Sequence, residues 1–308
     1  MVQSSTFLRV GTRGSPLALV QAREVAARLA AAHGLAADRI ELKIIKTSGD
    51  ALQDRSLAEE GGKGLFTKEI EEALLAGHID LAVHSAKDVP TVLPAGLKLA
   101  ACLAREDARD VFIGATAKTL RDLPRGAVVG TSSPRRQALV KRARPDVEVV
   151  AMRGNVETRL RKIADGAADA TVLALAGLKR LGLAARASAI MSVDEFPPAV
   201  GQGAIAVEAR EDDATVSALL RCIDDADTST ALSAERAFLA ALDGSCRTPI
   251  AGHASIVGGS LNFRGLIAKP DGSAAFETSR AGHAQDAIAI GNDAGRELKI
   301  RAGSGFFG

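Results

Sequence analysis

The chain has 308 residues, of which 47% are hydrophobic and 25% charged, and its formal net charge is +2. This composition is typical of a globular protein and excludes disorder for most of the chain, while the length predicts two or three domains. Aromatic residues make up 3% of the chain, with no Trp and no Tyr, which disfavours a binding surface of stacked aromatic side chains. The small net charge gives no overall attraction to DNA or to an anionic membrane.

The cysteines and the N-terminal residues indicate the compartment. Cys102, Cys222 and Cys246 are too few and too widely spaced for a disulfide scaffold or a cysteine-rich zinc site, and we expect no bound metal. The first 30 residues contain several arginines and no apolar signal-peptide core, and no uncharged stretch is long enough to cross a bilayer. We therefore expect a cytoplasmic protein with free thiols, in which Cys102 and Cys222 lie in the core.

Apolar runs typical of buried strands alternate with amphipathic runs typical of helices in two series. The first series predicts strands at 8–11, 41–46, 79–83, 97–103 and 111–113, with helices at 16–33 and 68–76. The second predicts strands at 127–130, 147–151 and 170–174, with helices after Pro134 and at 156–164. Alternation of this kind predicts α/β sheets with helices on both faces.

The pattern changes towards the C-terminus. A strand at 204–208 and helices at 214–223 and 231–242 precede a Gly- and Ser-rich stretch at 248–279 with clear turn signals. A last helix is predicted at 284–298. This part of the chain predicts a small α+β domain.

One short pattern occurs twice at a predicted strand-to-helix turn, as GTRGSP at 11–16 and GTSSP at 130–134. In each copy a serine precedes a proline, the residues preferred at the N-cap and at the first helical position. Two related α/β units are therefore predicted, each with a helix N-terminus that favours an anion. Two well-capped helices without a ligand are the alternative.

Basic residues concentrate between 131 and 162, where nine cations and three anions give a local net charge of +6. Arg135 and Arg136 fall in the first turn of a predicted helix, where the helix dipole disfavours cations, which points to an anionic ligand. A nucleic-acid partner is an alternative, although no recognition motif supports it.

Three further loops carry reactive or charged side chains. Lys63 lies in a glycine loop that lacks the spacing of a phosphate-binding loop, and a plain linker is the alternative. Asp88 follows a predicted strand and is a candidate for cation stabilisation or proton transfer, or else a turn or ion-pair aspartate. Cys246 lies beside Arg247, and a neighbouring cation favours the nucleophilic thiolate, whereas an inert thiol is the alternative.

Together these segments resemble the porphobilinogen deaminase family. The matching stretches occur in the family's order between residues 11 and 249. They are 11–22 (GTRGSPLALVQA), 61–70 (GGKGLFTKEI), 80–90 (DLAVHSAKDVP), 130–138 (GTSSPRRQA), 153–160 (RGNVETRL), 198–208 (PAVGQGAIAVE) and 244–249 (GSCRTP). The combination is specific, although no single motif would be.

The resemblance implies an α/β fold with two domains like the lobes of type II periplasmic binding proteins and a small α+β C-terminal domain. The implied domains are 1–103 with 204–221, then 109–197, then 226–308. It implies a transferase of haem and tetrapyrrole biosynthesis that joins four porphobilinogen units into hydroxymethylbilane and releases ammonia. The enzyme would be a cytoplasmic monomer with no nucleic-acid or membrane partner.

The resemblance also implies roles for individual residues. Cys246 matches the cysteine that carries a dipyrromethane cofactor through a thioether, and Asp88 matches the catalytic aspartate. A carboxylate there would stabilise the cation formed when ammonia leaves and the cationic pyrrole formed on coupling, and it would shuttle the α-proton. The acetate and propionate groups of the substrate and cofactor would meet Arg13, Ser15, Lys63, Ser85, Lys87, Thr131, Ser133, Arg135, Arg136, Arg153, Arg159, Gln202 and Gly203.

One departure and two competing functions remain. Glu59 and Glu60 stand where relatives often carry a further basic residue, which puts a secondary contact of the glycine loop in doubt. A non-catalytic carboxylate-binding protein would need neither Cys246 nor Asp88 and would normally carry an export signal. A nucleic-acid binder would use the basic residues at 131–162.

Overall fold

The computed structural model describes residues 7–51, 66–244, 248–303 and 305–306. The chain forms two compact units. The first consists of Met1–Arg105 and Ala204–Ser229, and the second of Glu106–Gly203 and Thr230–Gly308. The second unit thus contains the whole of the chain between the two segments of the first, together with the C-terminal residues.

The described residues form thirteen strands and nine α-helices. The strands are β1 (Leu8–Thr12), β2 (Ile40–Ile44), β3 (Leu81–Ser85), β4 (Leu97–Cys102), β5 (Asp110–Gly114), β6 (Val128–Gly130), β7 (Glu148–Val150), β8 (Ala170–Ala174), β9 (Ala189–Ile190), β10 (Ile205–Arg210), β11 (Ile250–Val257), β12 (Ser260–Ala268) and β13 (Ala275–His283). The helices are α1 (Pro16–His33), α2 (Ser48–Ala51), α3 (Lys68–Leu75), α4 (Pro134–Ala143), α5 (Val156–Ala164), α6 (Leu175–Arg180), α7 (Ala214–Leu220), α8 (Ala226–Ala241) and α9 (Ala287–Ala302). Within this described part of the chain, no helix is both long and apolar enough to span a membrane.

The first unit is built on a five-stranded sheet in the order β2-β1-β3-β10-β4. Strands β2, β1 and β3 are parallel, whereas β10 runs antiparallel to both of its neighbours. Ala22 and Leu29 of α1 pack in one core cluster with Val83 of β3. Ile70 of α3 packs in another with Ala82, whose side chain points to the opposite face of the same strand. Helices therefore cover both faces of this sheet.

The second unit contains a sheet of the same design, in the order β7-β6-β8-β5-β9. Here β7, β6 and β8 are parallel, and β5 runs antiparallel to β8 and β9. Strands β6 and β8 thus correspond to β1 and β3 of the first unit, and β5 corresponds to β10. The sequence-based prediction of two related α/β units is confirmed in strand order.

The second unit also contains an antiparallel sheet, β11-β12-β13, against which α8 and α9 pack. Phe238 of α8 and Phe263 of β12 meet with ring centroids 4.9 Å apart, inside a cluster that includes Leu298 of α9. A side chain at Gly291 of α9 would lie 2.0 Å from the carbonyl oxygen of Ala234, so glycine permits the close approach of α9 to α8. This is the expected α+β part of the chain.

Three of the observed elements differ clearly from the predicted ones. Strand β3 begins and ends two residues later than predicted, so it includes His84 and Ser85. Helix α8 begins at Ala226 instead of 231, because Asp225 accepts a hydrogen bond from the Thr228 amide and starts the helix within a charged stretch. Helix α6 was not predicted, since its short apolar sequence continues directly from β8.

Candidate active site

A pocket in the first unit gathers several of the predicted site residues. Its walls come from the turn after β1, the start of α1, the residues before α3, and the end of β3 with the turn that follows. The lining residues are Arg13, Ser15, Leu17, Ala18, Gln21, Phe66, Thr67, Val83, His84, Ser85 and Asp88. The strands β1 and β3 are parallel neighbours, so their carboxyl ends meet at this edge of the sheet.

The start of α1 provides a site for an anion on this wall. Ser15 is the N-cap and accepts a hydrogen bond from the Ala18 amide at 3.3 Å, and Pro16 occupies the first turn, as predicted. The Arg13 guanidinium lies over the ring of Phe66, with 4.2 Å between its central carbon and the ring centroid. This contact orients the cation on the pocket wall.

Gln21 and Ser85 fix the inner wall. Gln21 is buried on α1, and its side-chain amide exchanges hydrogen bonds of 2.9 and 3.1 Å with the Ser85 hydroxyl at the end of β3. These contacts tie the helix to the strand at the point where the chain turns towards Asp88. Ser85 therefore positions the wall of the pocket as well as lining it.

Asp88 ends a single 3-10 turn, Ala86–Asp88, and its side chain is exposed on the pocket wall. The turn is anchored by a hydrogen bond from the Ala86 amide to the Ala204 carbonyl, 3.0 Å long. Lys87 is half-buried in the same turn. An exposed carboxylate beside a cation and a helix N-terminus suits a substrate that is anionic at its edges and becomes cationic at its reacting carbon.

Behind this wall lies a group of buried titratable side chains that sequence reasoning did not connect. The His84 Nε2 atom lies 3.2 Å from Glu208 Oε2, and Glu71 of α3 is buried nearby. Burial raises the pKa of Glu71, and the negative charge of Glu208 raises it further. Glu208 is a charged residue in an apolar stretch of β10, where residues 205–209 are all buried, and this charge was the available sequence signal.

In the second unit, the start of α4 repeats the arrangement at α1. Ser133 is the N-cap and accepts a hydrogen bond from the Arg136 amide at 3.4 Å, and its own amide donates to Thr131 Oγ1 at 3.2 Å. Thr131 is buried and Ser133 is half-buried. Both predicted residues therefore lie at a helix N-terminus after β6, the strand that corresponds to β1.

Arg135 and Arg136 are buried in the first turn of α4, and both pair with Asp110. Arg135 Nη2 lies 2.6 Å from one Asp110 oxygen, and Arg136 donates to the other through Nη2 at 2.7 Å and Nε at 3.2 Å. Gln202 Nε2 donates to Asp110 at 2.9 Å and to the Ala108 carbonyl. The cluster of two guanidinium groups and one carboxylate carries a net charge of +1, next to the positive end of a helix.

The electrostatics of this cluster follow from its burial. Desolvation by itself would raise the pKa of Asp110, but the charges of Arg135 and Arg136 outweigh it and hold that pKa well below its usual range. Burial lowers the pKa of Arg135, yet a guanidinium stays charged because its ordinary pKa is so high. Asp110 was not predicted, since it lies 25 residues before Arg135 in a strand that reads as apolar.

Arg153 and Arg159 lie at the start of α5. Arg159 donates through Nε to the Gly154 carbonyl at 2.9 Å, and Gly154 has a φ of +113°, which favours glycine. Asn155 caps the helix by accepting from the Thr158 amide at 2.8 Å. Both arginines are half-buried, so this helix start presents a second cationic edge in the second unit.

Two further arginines of the basic stretch at 131–162 are paired with carboxylates. Arg144 pairs with Asp146 at 2.7 Å, and Arg142 pairs with Glu277 of β13 at 2.8 Å. Together with the pairing at Asp110, these contacts offset part of the positive charge on which the nucleic-acid alternative rests.

Two predicted residues lie outside the described residues, namely Lys63 and Cys246. The other cysteines are described. Cys102 is buried, as expected, but the prediction for Cys222 was wrong, since it is exposed and its Sγ lies 3.3 Å from His33 Nε2. Cys222 follows the last turn of α7, between the buried residues Leu220 and Ile223, and its side chain faces away from the core.

The predicted site residues therefore fall into two groups. Arg13, Ser15, Ser85 and Asp88 share the pocket of the first unit, with Lys87 in the same turn. Thr131, Ser133, Arg135, Arg136, Arg153, Arg159, Gln202 and Gly203 belong to the second unit. Gln21 and Phe66 also line the pocket, although neither was singled out from the sequence.

Family models and individual relatives match the chain. Residues 8–218 match the model described as "Porphobilinogen deaminase, dipyromethane cofactor binding domain", and residues 229–300 match "Porphobilinogen deaminase, C-terminal domain". A porphobilinogen deaminase of Nitrobacter hamburgensis is 62% identical over 99% of this chain and 96% of its own length. That of Nitrobacter winogradskyi is 63% identical with the same coverage.

Solved structures with a lower likeness include a periplasmic substrate-binding protein of an ABC transporter from Coxiella burnetii. It is 16% identical, with a TM-score of 0.43, over 70% of this chain and 91% of its own. The methionine binding protein MetQ is 15% identical, with a TM-score of 0.45, over 70% and 89%.

The fold and the site define an α/β enzyme with two sheets of one design, a small α+β part, and helix N-termini and arginines suited to a substrate rich in carboxylates. The chain belongs to the porphobilinogen deaminase family. It is a transferase of tetrapyrrole biosynthesis that joins porphobilinogen units into hydroxymethylbilane with release of ammonia, and its cofactor is dipyrromethane.

Proposed function

We propose that porphobilinogen reacts in the pocket of the first unit and that Asp88 is the catalytic carboxylate. The observation that carries this proposal is the exposed Asp88 side chain on a wall shared with Arg13 and the N-terminus of α1. The acetate and propionate groups of the substrate would bind the cation and the helix N-terminus, which places the pyrrole ring near a carboxylate.

Loss of ammonia from porphobilinogen leaves a cation on the substrate, and formation of the new carbon–carbon bond leaves a second cationic pyrrole. Asp88 would stabilise both, because its negative charge lies where positive charge develops only during reaction. Arg13 and Ser15 would hold the substrate carboxylates, while Ser85 and Lys87 shape the wall beside Asp88. The glycine loop that carries Lys63 precedes Phe66 in the chain and would add one further cation.

The second group of residues would hold the carboxylates of the dipyrrole and of the growing chain. Thr131 and Ser133 provide the helix N-terminus of α4, and Arg153 and Arg159 provide cations at α5. Arg135 and Arg136 are buried against Asp110, so their contribution is the net charge of +1 that the cluster retains beside that helix. Gln202 donates a hydrogen bond to Asp110 of this cluster, and Gln202 and Gly203 would hold their chain segment in place beside it.

The donors of this structure fit a dipyrrole that bears several carboxylates. Helix N-termini at α1 and α4, with arginine side chains beside each, supply hydrogen-bond donors and positive charge without a metal ligand set. We propose that Cys246 attaches the cofactor through a thioether. When bound, the cofactor supplies a nucleophilic pyrrole carbon as primer for the chain.

Asp88 is tested by Asp88→Asn and Asp88→Glu, with Asp212→Asn as the control for an exposed aspartate of the same unit outside the pocket. Asparagine keeps the size and removes the charge, so product formation from porphobilinogen should fall by at least about 100-fold. Glutamate keeps the charge and displaces it, so the variant should be slow but measurable. Each protein is first shown to be folded and loaded with cofactor, and full activity of Asp88→Asn would refute the assignment.

Cofactor attachment is tested by intact mass spectrometry with peptide mapping. The purified protein should exceed the mass of its sequence by one dipyrrole unit, located on the peptide that contains Cys246. Cys246→Ser should not load normally, because a hydroxyl is a much weaker nucleophile than a thiol, whereas Cys102→Ser and Cys222→Ser should load. An unmodified protein with full activity would contradict the proposal.

We further propose three domains, at 1–103 with 204–221, at 109–197 and at 226–308, and a monomer that works in the cytoplasm with no nucleic-acid or membrane partner. Support for the division comes from the three separate sheets. Sedimentation of the purified protein at several concentrations tests the monomer, and a mass that doubles with concentration would contradict it.

A further inference from the structure

The pocket of the first unit is backed by three titratable side chains that the proposed chemistry does not use. His84 of β3, Glu208 of β10 and Glu71 of α3 are 5%, 0% and 6% exposed. His84 also lines the pocket that contains Asp88. The group therefore extends from the pocket wall into the core between the sheet and α3.

Strand register brings these residues together. His84 pairs with Ala206 in the antiparallel ladder, which places Glu208 diagonally across on the same face of the sheet. Ala82 shares that face and packs with Ile70 and other apolar residues beside Glu71. Two carboxyl groups and an imidazole thus lie close together in the core, beside apolar side chains.

Within the described residues, the two Glu208 oxygens and His84 Nε2 have no aligned hydrogen-bond partner, and they lie 3.2 Å from each other at their closest. An isolated carboxylate in such surroundings is costly unless a proton or a cation compensates it. Burial raises the pKa of Glu71, which favours its neutral form. Glu208 is the carboxyl group that faces the imidazole.

Such a group is not required by packing. Replacing a buried ion pair by apolar side chains of similar volume is often neutral or stabilising, and the neighbouring residues are already apolar. A histidine whose one nitrogen faces a buried carboxylate, and whose ring lines a reaction pocket, has the arrangement in which imidazole accepts protons. The arrangement is therefore better explained by proton transfer than by stability.

We propose that His84, supported by Glu208, is the group that accepts the α-proton of the newly coupled pyrrole. The inference rests on the proposed function, because it places that pyrrole in the pocket of Asp88. The carbon–hydrogen bond breaks, its electron pair restores the aromatic ring, and the proton binds the ring nitrogen of His84 that faces away from Glu208. The imidazolium is balanced by the Glu208 carboxylate and passes its proton to the ammonia that the reaction releases.

The charged groups around His84 allow this cycle. Arg13 and Asp88 face it from the pocket, Glu208 from β10 and Glu71 from α3. Asp88 can then remain anionic throughout and stabilise the substrate cations, while His84 moves the proton. Charge stabilisation and proton transfer are thereby assigned to different residues of one pocket.

The test compares His84→Gln and Glu208→Gln with Glu211→Gln, an exposed residue directly after β10. His84→Gln should lower kcat by about 100-fold and leave KM nearly unchanged, as expected for loss of a general base. Porphobilinogen deuterated at its free α-carbon should react with a larger isotope effect in this variant than in the wild type, since proton removal becomes limiting. Glu208→Gln, which keeps shape and volume, should lower kcat by about 10-fold, a smaller loss because the base itself remains.

A second readout is independent of turnover. Nitrogen-15 NMR of the His84 ring should show Nε2 as the protonated nitrogen in the wild type, and this preference should weaken in Glu208→Gln. A folded His84→Gln variant with wild-type kcat and isotope effect would overturn the proposal, as would an isotope effect that grows in Asp88→Glu and not in the His84 variant. If His84→Gln does not fold, an unchanged kcat and ring tautomer in Glu208→Gln overturns it instead. Full activity of Asp88→Asn would mean that the proposed pocket itself is wrong, a separate outcome.

Discussion

Asp110 pairs with two buried arginines at once, and Asp110→Asn removes this shared negative charge while keeping the size of the side chain. Arg135 and Arg136 are 4% and 5% exposed, and their bonds to Asp110 range from 2.6 to 3.2 Å. The substitution leaves two guanidinium groups without a counter-charge in a site where water cannot replace it. Breaking a buried pair in this way costs about 3–5 kcal/mol of the free energy of unfolding.

Thermal unfolding followed by circular dichroism measures this loss. For a unit of this size, each kcal/mol lowers the melting temperature by about 2–4 °C, so a decrease on the order of 10 °C is expected. Glu195→Gln is the control in the same unit, because the Glu195 pair with Arg121 is exposed on both sides and such pairs contribute about 0–1 kcal/mol.

The pH dependence gives a second check on the same residue. Because the pKa of folded Asp110 is held below its usual range, its contribution to stability is present above about pH 4 and is lost as the pH falls further. The wild type should therefore lose stability in acid more steeply than Asp110→Asn. A variant whose melting temperature lies within 2 °C of the wild type at pH 7, about the effect of 1 kcal/mol or less, would refute the view that the pairing is a buried and mutually dependent charge cluster.

Two smaller predictions concern the cores of the units. Since the pKa of folded Glu71 is raised, its carboxyl stabilises the fold below about pH 4.5 and loses that contribution as the pH rises. In urea unfolding, Glu71→Gln should therefore match the wild type in acid and be more stable than the wild type at neutral pH. Equal stability of the two proteins at both pH values would contradict the raised pKa. At Gly203, with a φ of +92°, a Cβ would lie 2.3 Å from the Glu106 carbonyl oxygen, so Gly203→Ala should cost more than about 1 kcal/mol in thermal unfolding. Gly126→Ala, also at positive φ but with open space around it, should cost less, and equal losses would show that the clash is unimportant.

Local features of the sequence predicted the helix starts of the site. The serine and proline of each repeated pattern encode the N-caps of α1 and α4 without help from distant residues, and the structure confirms both. The position of Asp88 on the pocket wall could also be predicted from the sequence, because Asp88 follows the strand that ends at the pocket. Such predictions succeed since capping and turn geometry depend on a few neighbouring residues.

Contacts between residues that are distant in the chain could not be predicted in this way. Glu208 reaches His84 only through the register of β10 against β3, more than 120 residues apart in the chain, and Asp110 reaches Arg135 only through the fold of the second unit. A charged residue inside an apolar strand signals burial of a charge, yet it does not identify the partner. The error at Cys222 has a different origin, since an apolar stretch does not show which of its residues faces away from the core.

The two sheets, which share one strand order, differ at one pair of equivalent strand ends. After β3 the chain makes the short turn that presents Asp88, whereas after β8, the corresponding strand, it enters α6 through the buried apolar residues Leu175 and Ala176. Equivalent strand ends therefore hold a carboxylate in the first unit and an apolar helix start in the second. Because β1 and β6 both lead to a capped helix N-terminus, both units have a helix start that favours an anion, and among these equivalent strand ends the exposed carboxylate lies in the first unit. Variants at the end of β8 should therefore change stability, while variants at the end of β3 change the reaction.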